Sequence, residues 1–543
     1  LHRKIGQYDV YMTMNIERGA EVFFRAKGKL ERWDAMNGNV KEYPVYQQSE
    51  NGTRIKYEGD YNTSCLFVFS PGEPVWQHAE PSQFEDVSQV LPVEGTWQTE
   101  IIPTMNNKWG DFRLPASDEL IGVEAREFSY MFVPGNEKMK TPPIFPEGVS
   151  QDIYGYGPYM QTMTLDKSVY LEDFLEQEIS SEVWKPYCYS WKYGVFDNPG
   201  SQGYHGLKGK VDNRFIILDR GGHQLFETYV YAAQNGKYCI AKEGVMPDYL
   251  LIDGKRVQEE RIYLKKGWHK LLLAYANTPY EDFVLSEKKS NNVDKRKRSA
   301  VVLYYRQLPL WKDNQPYGQD IAMKWYNTDP APFNIQGGKK GFWVYRFETA
   351  PGTRFIHFKD IKGRILYCWI DGKPATLQHH ASTNSYTWEA SSVLSKVATV
   401  IVAAVPDEGF AGTAIFGEPV KIDCGVGEMP VGNWAEFGAM KFYSGGVLYK
   451  KSIKVPDSVS FRRVELDLGM VDATCEVKVN GKKMGILMSP PYRMDITDSV
   501  LNGENKIEVL VYSTLSNHYQ TIPSAYKGKA RAGLLGPVKL VFY

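Results

Sequence analysis

The side chains best suited to chemistry gather in two short stretches of the sequence. Trp184, Trp191, Tyr193, Tyr204 and His205 fall within the turn-dense run WKPYCYSWKYGVFDNPGSQGYHG. Tyr492, Arg493, Asn517, His518, Tyr519 and Tyr526 fall near the C-terminus, in PPYRM and NHYQTIPSAY. Aromatic faces stack on the C–H faces of a sugar ring, and amide, imidazole or guanidinium groups beside them bond its hydroxyls, so both stretches are candidate glycan contacts. The competing reading is that these rims pack on a neighbouring domain. In the second stretch NHYQT follows a strand, so its polar side chains are expected to face outward from a loop whose ends are held.

Covalent chemistry is less well served, and no catalytic residue is assigned. Glycoside hydrolysis needs two carboxyl groups flanking the scissile bond. Asp111, Glu124, Asp197 and Glu436 lie near aromatics, but an aspartate in a turn or a glutamate on a strand edge explains each of them. A Ser/His/Asp triad has no support, since GxSxG is absent and the nine histidines lie in unlike surroundings. Nor does a Gly-rich phosphate loop occur between a strand and a helix. The six cysteines, Cys65, Cys188, Cys239, Cys368, Cys424 and Cys475, are scattered, mostly in apolar runs such as CLFVF and LYCWI. They read as buried free thiols, and the spacing a zinc site needs is missing.

The elements that must position these groups are strands. A chain of 543 residues exceeds one hydrophobic core and is expected to divide into about three to five domains. Its 64 basic and 64 acidic residues cancel, which gives no support for nucleic acid or an acidic membrane surface as partner. No apolar run is long enough to span a bilayer. The aromatic content of 14 %, with 36 Tyr and 13 Trp, suits aromatic-rich sheet cores as well as stacking surfaces.

Period-two segments bounded by Gly, Asn and Asp recur throughout: QYDVYMTMN, AEVFFRAKG, FETYVYAA, GFWVYRFE, VIVAAV, CEVKV and KIEVLVY. Asp253-Gly254, Asp371-Gly372 and Asn480-Gly481 each sit between such segments and are expected to be hairpin turns. Only LEDFLEQEISSEV, between Ser168 and Val183, reads as a short helix in the first half. The lysine-rich KKSNNVDKRKRS reads as a solvated loop rather than a binding patch. The expected fold class is all-β, several jelly-roll-like β-sandwiches in series with little helix. Expected boundaries are 1–72, 73–211 with Trp/Pro-rich loops, 212–310, 311–427 and 428–543.

The ordered motifs YSGGVLYKK, LDLG, VKVNGKKMG, PPYRMDIT, GENKIEVLV and GLLGPVKL resemble the sugar-binding jelly roll of family 2 glycoside hydrolases, and more closely the C-terminal domain of family 106 α-L-rhamnosidases. LHRKIGQYDVYMTMN with KLERWDAMNGNV, NNKWGDFRLPAS, and the Trp184 to Val211 stretch resemble the same enzymes. FETYVYAAQNG, LLIDGKRV and LKKGWHKLLLAY are similar to PA14-like lectin domains. The resemblance implies a non-catalytic C-terminal portion of a rhamnosidase-like hydrolase, Leu1 falling just after the catalytic barrel. It also implies a rhamnose-containing glycan and that barrel as partners, a secreted or periplasmic bacterial setting, and calcium only in the full-length enzyme, with no cofactor in this chain. Free-standing carbohydrate binding is the alternative.

Strand-borne cysteines far apart in sequence should be unpaired, and thiol titration of the denatured, unreduced protein is expected to find all six reactive groups. Recovery of only four would establish a disulfide.

Overall fold

The computed structural model describes the whole chain except residues 15, 18, 35–37, 46, 58–63, 77–86, 110–116, 136–137, 148–150, 154–156, 178, 180–182, 190–214, 217–221, 245–246, 260, 279–297, 306–332, 410–414, 417–418 and 521–529. Among the described residues α-helix is confined to Leu171–Leu175 and Ser516–Tyr519, and nearly all other regular structure is antiparallel sheet. The first helix covers only the LEDFL start of the LEDFLEQEISSEV segment expected to be helical. The three dipeptide turns form as expected, with φ of 51° and 74° at Asp253-Gly254, 48° and 76° at Asp371-Gly372, and 50° and 82° at Asn480-Gly481. Positive φ at both central residues gives the hairpin twist that suits the flanking strands, and only Gly, Asn and Asp adopt it readily. Cys65, Cys368, Cys424 and Cys475 are free thiols.

The N-terminal part forms a small sandwich. Its larger sheet has the order His2–Ile5, Tyr8–Thr13, Cys65–Ser70, Lys29–Trp33, Val40–Glu42, and its smaller one the order Glu21–Phe24, Gly52–Lys56, Gln47–Ser49. Phe24, Leu30, Ile55, Tyr57, Phe67 and Phe69 fill the space between them.

Beyond it the sandwiches are nested, which strand patterning alone does not reveal. The C-terminal sandwich takes strands from both ends of the remaining chain: Gln89–Pro92 pairs with Lys539–Phe542, and Thr96–Ile102 pairs with both Gly427–Pro430 and Gly446–Val455. Trp97, on the second of these strands, is fully buried and meets Tyr449 edge to face at 6.4 Å between ring centroids. A second sandwich lies within that span. Val123–Ala125 joins Val420–Cys424 in one of its sheets, while Glu127–Pro134 joins Gly341–Glu348 in the other. The chain thus changes sheets at Arg126.

Within this middle sandwich a third unit is inserted. One of its sheets runs in the order Lys185–Tyr189, Gly157–Leu165, Gly222–Ala232, Gly267–Thr278, Tyr249–Ile252, and the other in the order Phe215–Ile216, Arg298–Tyr305, Gly236–Gly244, Arg261–Leu264. The insert has its own cluster around Met163, Trp184, Leu225 and Leu272. By contrast, buried residues of the middle and C-terminal sandwiches form one continuous apolar cluster, from Trp97 through Phe128, Trp343 and Phe416 to Trp434, Val509 and Phe542.

A fragment spanning only 428–543 lacks a strand from each sheet and leaves Tyr449 without its Trp97 neighbour. Losing a buried tryptophan alone costs about 3–5 kcal/mol, a large share of a domain's stability. That fragment is expected to show no cooperative thermal transition, whereas the whole chain does. A sharp melt of the isolated fragment would refute the nested arrangement.

Candidate functional site

The described residues of the two sequence clusters turn inward or toward neighbouring side chains. Trp184 is buried among Met163, Leu171, Leu225 and Leu272 and so packs the insert core. Tyr492 is buried too, its hydroxyl donating to the Ala473 carbonyl at 2.8 Å. Arg493 holds Asp467 at 3.2 Å and Glu465 at 3.9 Å. Trp191, Tyr193, Tyr204, His205 and Tyr526, with Asp111 and Asp197, lie outside the described residues.

The expectation that Asn517 and His518 face outward is corrected by the structure. Both lie on the one-turn helix Ser516–Tyr519 and are fully buried, while Tyr519 is half-buried with its ring edge-on to His518. The helix folds back under the sheet rim, where the His518 amide donates to the Ser444 hydroxyl at 3.1 Å. A strand leading straight into a loop would have left these groups in water.

What holds the helix there is Arg126, 1 % exposed. Its guanidinium donates to the Glu124 carboxylate at 2.8 and 2.9 Å, to the His518 carbonyl at 2.8 Å, and to His518 Nδ1 at 2.6 Å. Nδ1 must therefore be the acceptor, which places the imidazole proton of neutral His518 on Nε2. Glu124, a carboxylate considered for catalysis, is thus a buried structural counter-ion. Beside it, neither amide atom of Asn517 has a hydrogen-bond partner among the described residues.

Next to this cluster a cavity of about 460 Å³ opens where the middle and C-terminal sandwiches meet. One wall is sheet. Glu127 and Ser129 lie on Glu127–Pro134, Arg346 and Glu348 on Gly341–Glu348, and Thr399 at the start of Thr399–Pro406; Ser129 is opposite Arg346 and Glu348 opposite Thr399. The other wall is two 3-10 helices, Trp434–Glu436 and Gly438–Phe442, contributing Ala435, Glu436, Ala439, Lys441 and Phe442. Asn433 caps the first, its side chain accepting from the Ala435 amide at 3.2 Å. Gly438 has φ of 53°, and a Cβ there would lie 2.1 Å from the Thr349 carbonyl. Only glycine lets the helix come this close to the sheet, where the Ala439 amide donates to that same carbonyl at 3.1 Å. Lys441 forms an ion pair with Glu127 across the gap. Just beyond the wall, burial pushes the Tyr443 phenol well up, so it stays protonated and donates to the Gly446 carbonyl at 2.9 Å.

Sequence reasoning reached Glu436 but missed Arg126, Glu127, Ser129, Arg346, Glu348, Thr399 and Lys441. For Glu127, Ser129, Arg346 and Glu348 the one-dimensional signal is only a polar residue every second position on a strand, which solvated faces also show, and Arg126, Thr399 and Lys441 carry no pattern of their own. Among the described residues no group of three or more His, Cys, Asp or Glu is placed to hold a metal ion. Nor is any described helix long and apolar enough to cross a membrane.

Removing Arg126 would leave the Glu124 charge buried without a partner. Arg126→Met is expected to destabilise the protein by about 3–5 kcal/mol, and Arg126→Met with Glu124→Leu to recover much of that loss. Thermal or denaturant unfolding of the single and double variants measures it; single-variant losses below about 1 kcal/mol would mean the pair is not desolvated.

No family model matches the chain. A protein of Formosa agariphila named "Putative beta-glucuronidase" is 32 % identical over 151 residues, which is 27 % of this chain and 12 % of that protein. Solved structures with local similarity include a rhamnosidase from Novosphingobium sp. PP1Y, at 18 % identity and a TM-score of 0.20 over 37 % of this chain and 22 % of the other. An FMN-binding beta-glucuronidase from Facaelibacterium prausnitzii L2-6 gives 19 % identity and a TM-score of 0.18 over 22 % of this chain and 19 % of the other. A beta-D-mannosidase from Dictyoglomus thermophilum gives 20 % identity and 0.18 over 22 % and 21 %. Part of this chain is thus related in sequence to a protein carrying a glycoside hydrolase name, and the chain spans only a small fraction of that relative's length.

Proposed function

We propose that this chain is the accessory, glycan-associated portion of a glycoside hydrolase of the α-L-rhamnosidase-like kind, acting outside the cytoplasm on polysaccharide. Its role is to brace a catalytic barrel and extend the surface along which the glycan lies. The observation that carries this reading is the 32 % identity over 151 residues to a protein named for glycoside hydrolysis. The nested frame is consistent with a bracing role, because two sandwiches sharing one apolar cluster and joined by the buried Arg126–His518 hydrogen bonds resist relative movement. Of the four carboxylates that lie near aromatics in the sequence, Glu124 is the one whose surroundings suit support rather than catalysis. Glu124 is neutralised by Arg126, and Glu436 borders a cavity where Lys441 is paired with Glu127.

Two measurements on the purified chain test the proposal. It is expected to hydrolyse neither aryl α-L-rhamnosides nor aryl β-glucuronides, and to be retarded in affinity electrophoresis through gels containing rhamnose-bearing polysaccharide. Turnover that survives repurification and disappears on replacing one Asp or Glu would make the chain itself the enzyme. Unretarded migration through every polysaccharide gel would remove the glycan association.

A further inference from the structure

We infer that the cavity between the middle and C-terminal sandwiches binds a neutral, polyhydroxylated ring, a single pyranose unit of a glycan; this deepens the glycan-associated reading and rests on it. Its volume of about 460 Å³ lies within the roughly 300–1,000 Å³ typical of small-molecule sites, and such sites favour domain junctions.

The argument turns on which polar groups of the wall are already engaged. Arg126 is held by Glu124 and His518, and Lys441 by Glu127. Arg346 is not neutralised in this way. Among the described residues it has no carboxylate partner; its guanidinium reaches the Ser129 hydroxyl at 3.3 Å and lies 4.6 Å from the Phe145 ring centroid. Glu348 is exposed, and its carboxylate has no hydrogen bond or ion pair among the described residues. Among the described residues the Glu436 carboxylate has only a long contact from the Asn433 side-chain amide, at 3.5 Å.

The cavity therefore presents one rigid fork of N–H donors, two carboxylates with open lone pairs, and the hydroxyls of Ser129 and Thr399. Each sugar hydroxyl both donates and accepts, so a ring bearing several adjacent hydroxyls satisfies such a mixed wall. A ligand with donors only or acceptors only does not. Ala435, Gly438, Ala439 and Phe442 line the other side, leaving room for the C–H face of the ring.

Charge decides between a neutral and an anionic sugar. Arg126, Arg346 and Lys441 balance Glu127, Glu348 and Glu436 in the lining. Of the three lining groups without an ion-pair partner among the described residues, two are acids, so a uronate carboxylate would meet repulsion that a neutral ring does not.

Ligand-observed NMR on the whole chain tests this with methyl α-L-rhamnopyranoside, methyl α-D-mannopyranoside and sodium glucuronate as probes. At least one neutral glycoside is expected to bind with Kd on the order of 1–10 mM, more tightly than glucuronate. Arg346→Gln and Glu348→Gln should each weaken that binding about fivefold or more, as the loss of a charged hydrogen-bonding group does. Lys483→Ala, on a distant edge strand, should leave it unchanged. Glu348 is exposed, so Glu348→Gln tests the site without endangering the fold, and a thermal melt verifies Arg346→Gln. Neutral-sugar binding that both variants retain in full would overturn the cavity assignment and leave the glycan-associated reading standing. Tighter binding of glucuronate would overturn the neutral class, and binding of none of the three probes would overturn the site. Polysaccharide retention judges the broader reading separately.

Discussion

Burial of the Arg126 guanidinium is the constraint on which the arrangement of the two large sandwiches depends. An ion of that size loses several kcal/mol of hydration when removed from water, and stays charged only if nearly every donor is satisfied. Glu124 comes from the same strand region two residues earlier, whereas the His518 carbonyl and ring nitrogen come from a helix 392 residues away in sequence. The middle sandwich therefore carries the charge and the C-terminal sandwich completes its solvation. Separating them would return a half-satisfied ion pair to solvent and also open a shared apolar cluster. The amide of Asn517, fully buried beside this contact, has no hydrogen-bond partner among the described residues.

Nesting gives the chain an order of assembly. The Ser88 amide and hydroxyl bond the Phe542 carbonyl at 2.8 and 3.0 Å, closing a loop of 454 residues. Contacts of such sequence separation form late, because closure entropy is lost before they reward it. The insert can form its own core first and the middle sandwich close around its ends, after which Gln89–Pro92 and Thr96–Ile102 find the C-terminal strands. The insert is also pinned to its host. A Cβ on Gly409 would lie 2.5 Å from the Tyr231 ring, and Lys266 reaches Glu408 at 3.4 Å. Burial, and then the hydrogen bond to Glu408, push the Tyr231 phenol up to about 12, so it serves as a neutral donor at this junction.

Local chemistry made the strands and turns legible. Asp253-Gly254, Asp371-Gly372 and Asn480-Gly481 adopt positive φ at both positions, and Gly446–Val455, Thr474–Val479 and Gly503–Tyr512 lie where period-two segments place them. Strand partners were not legible, since period two shows that one face is buried without saying by which segment. TWQTEII carries the same signal whether it pairs with its neighbours or with Gly446–Val455, over three hundred residues away. The burial of Asn517 and His518 was hidden for a related reason. A polar tetrapeptide after a strand ordinarily meets water, and only the distant Arg126 and Ser444 give it reason to turn inward.

The same blindness explains why the cavity wall went unseen, and the sheet itself shows how it arises. On the face of the middle sheet turned away from the shared core, Phe342, Val344, Trp369 and Ala403 are covered by Met139 and Phe145. Two residues further along the same strand face, Val344 gives way to Arg346 and then Glu348, and on the adjacent strand Met131 gives way to Ser129 and Glu127. Arg346 stands at the boundary, with Phe145 beneath its guanidinium and the cavity beside it. A single sheet face is thus divided between an apolar half sealed by its own chain and a polar half facing the 3-10 helices. Gly438 sets how near those helices come, and the Arg126 contact fixes the sandwich that carries them, so the gap is set by the assembly and not by a mobile loop. Walls placed by packed sheet and helix lower the entropy lost when a small ligand enters, which is what the proposed ring site requires.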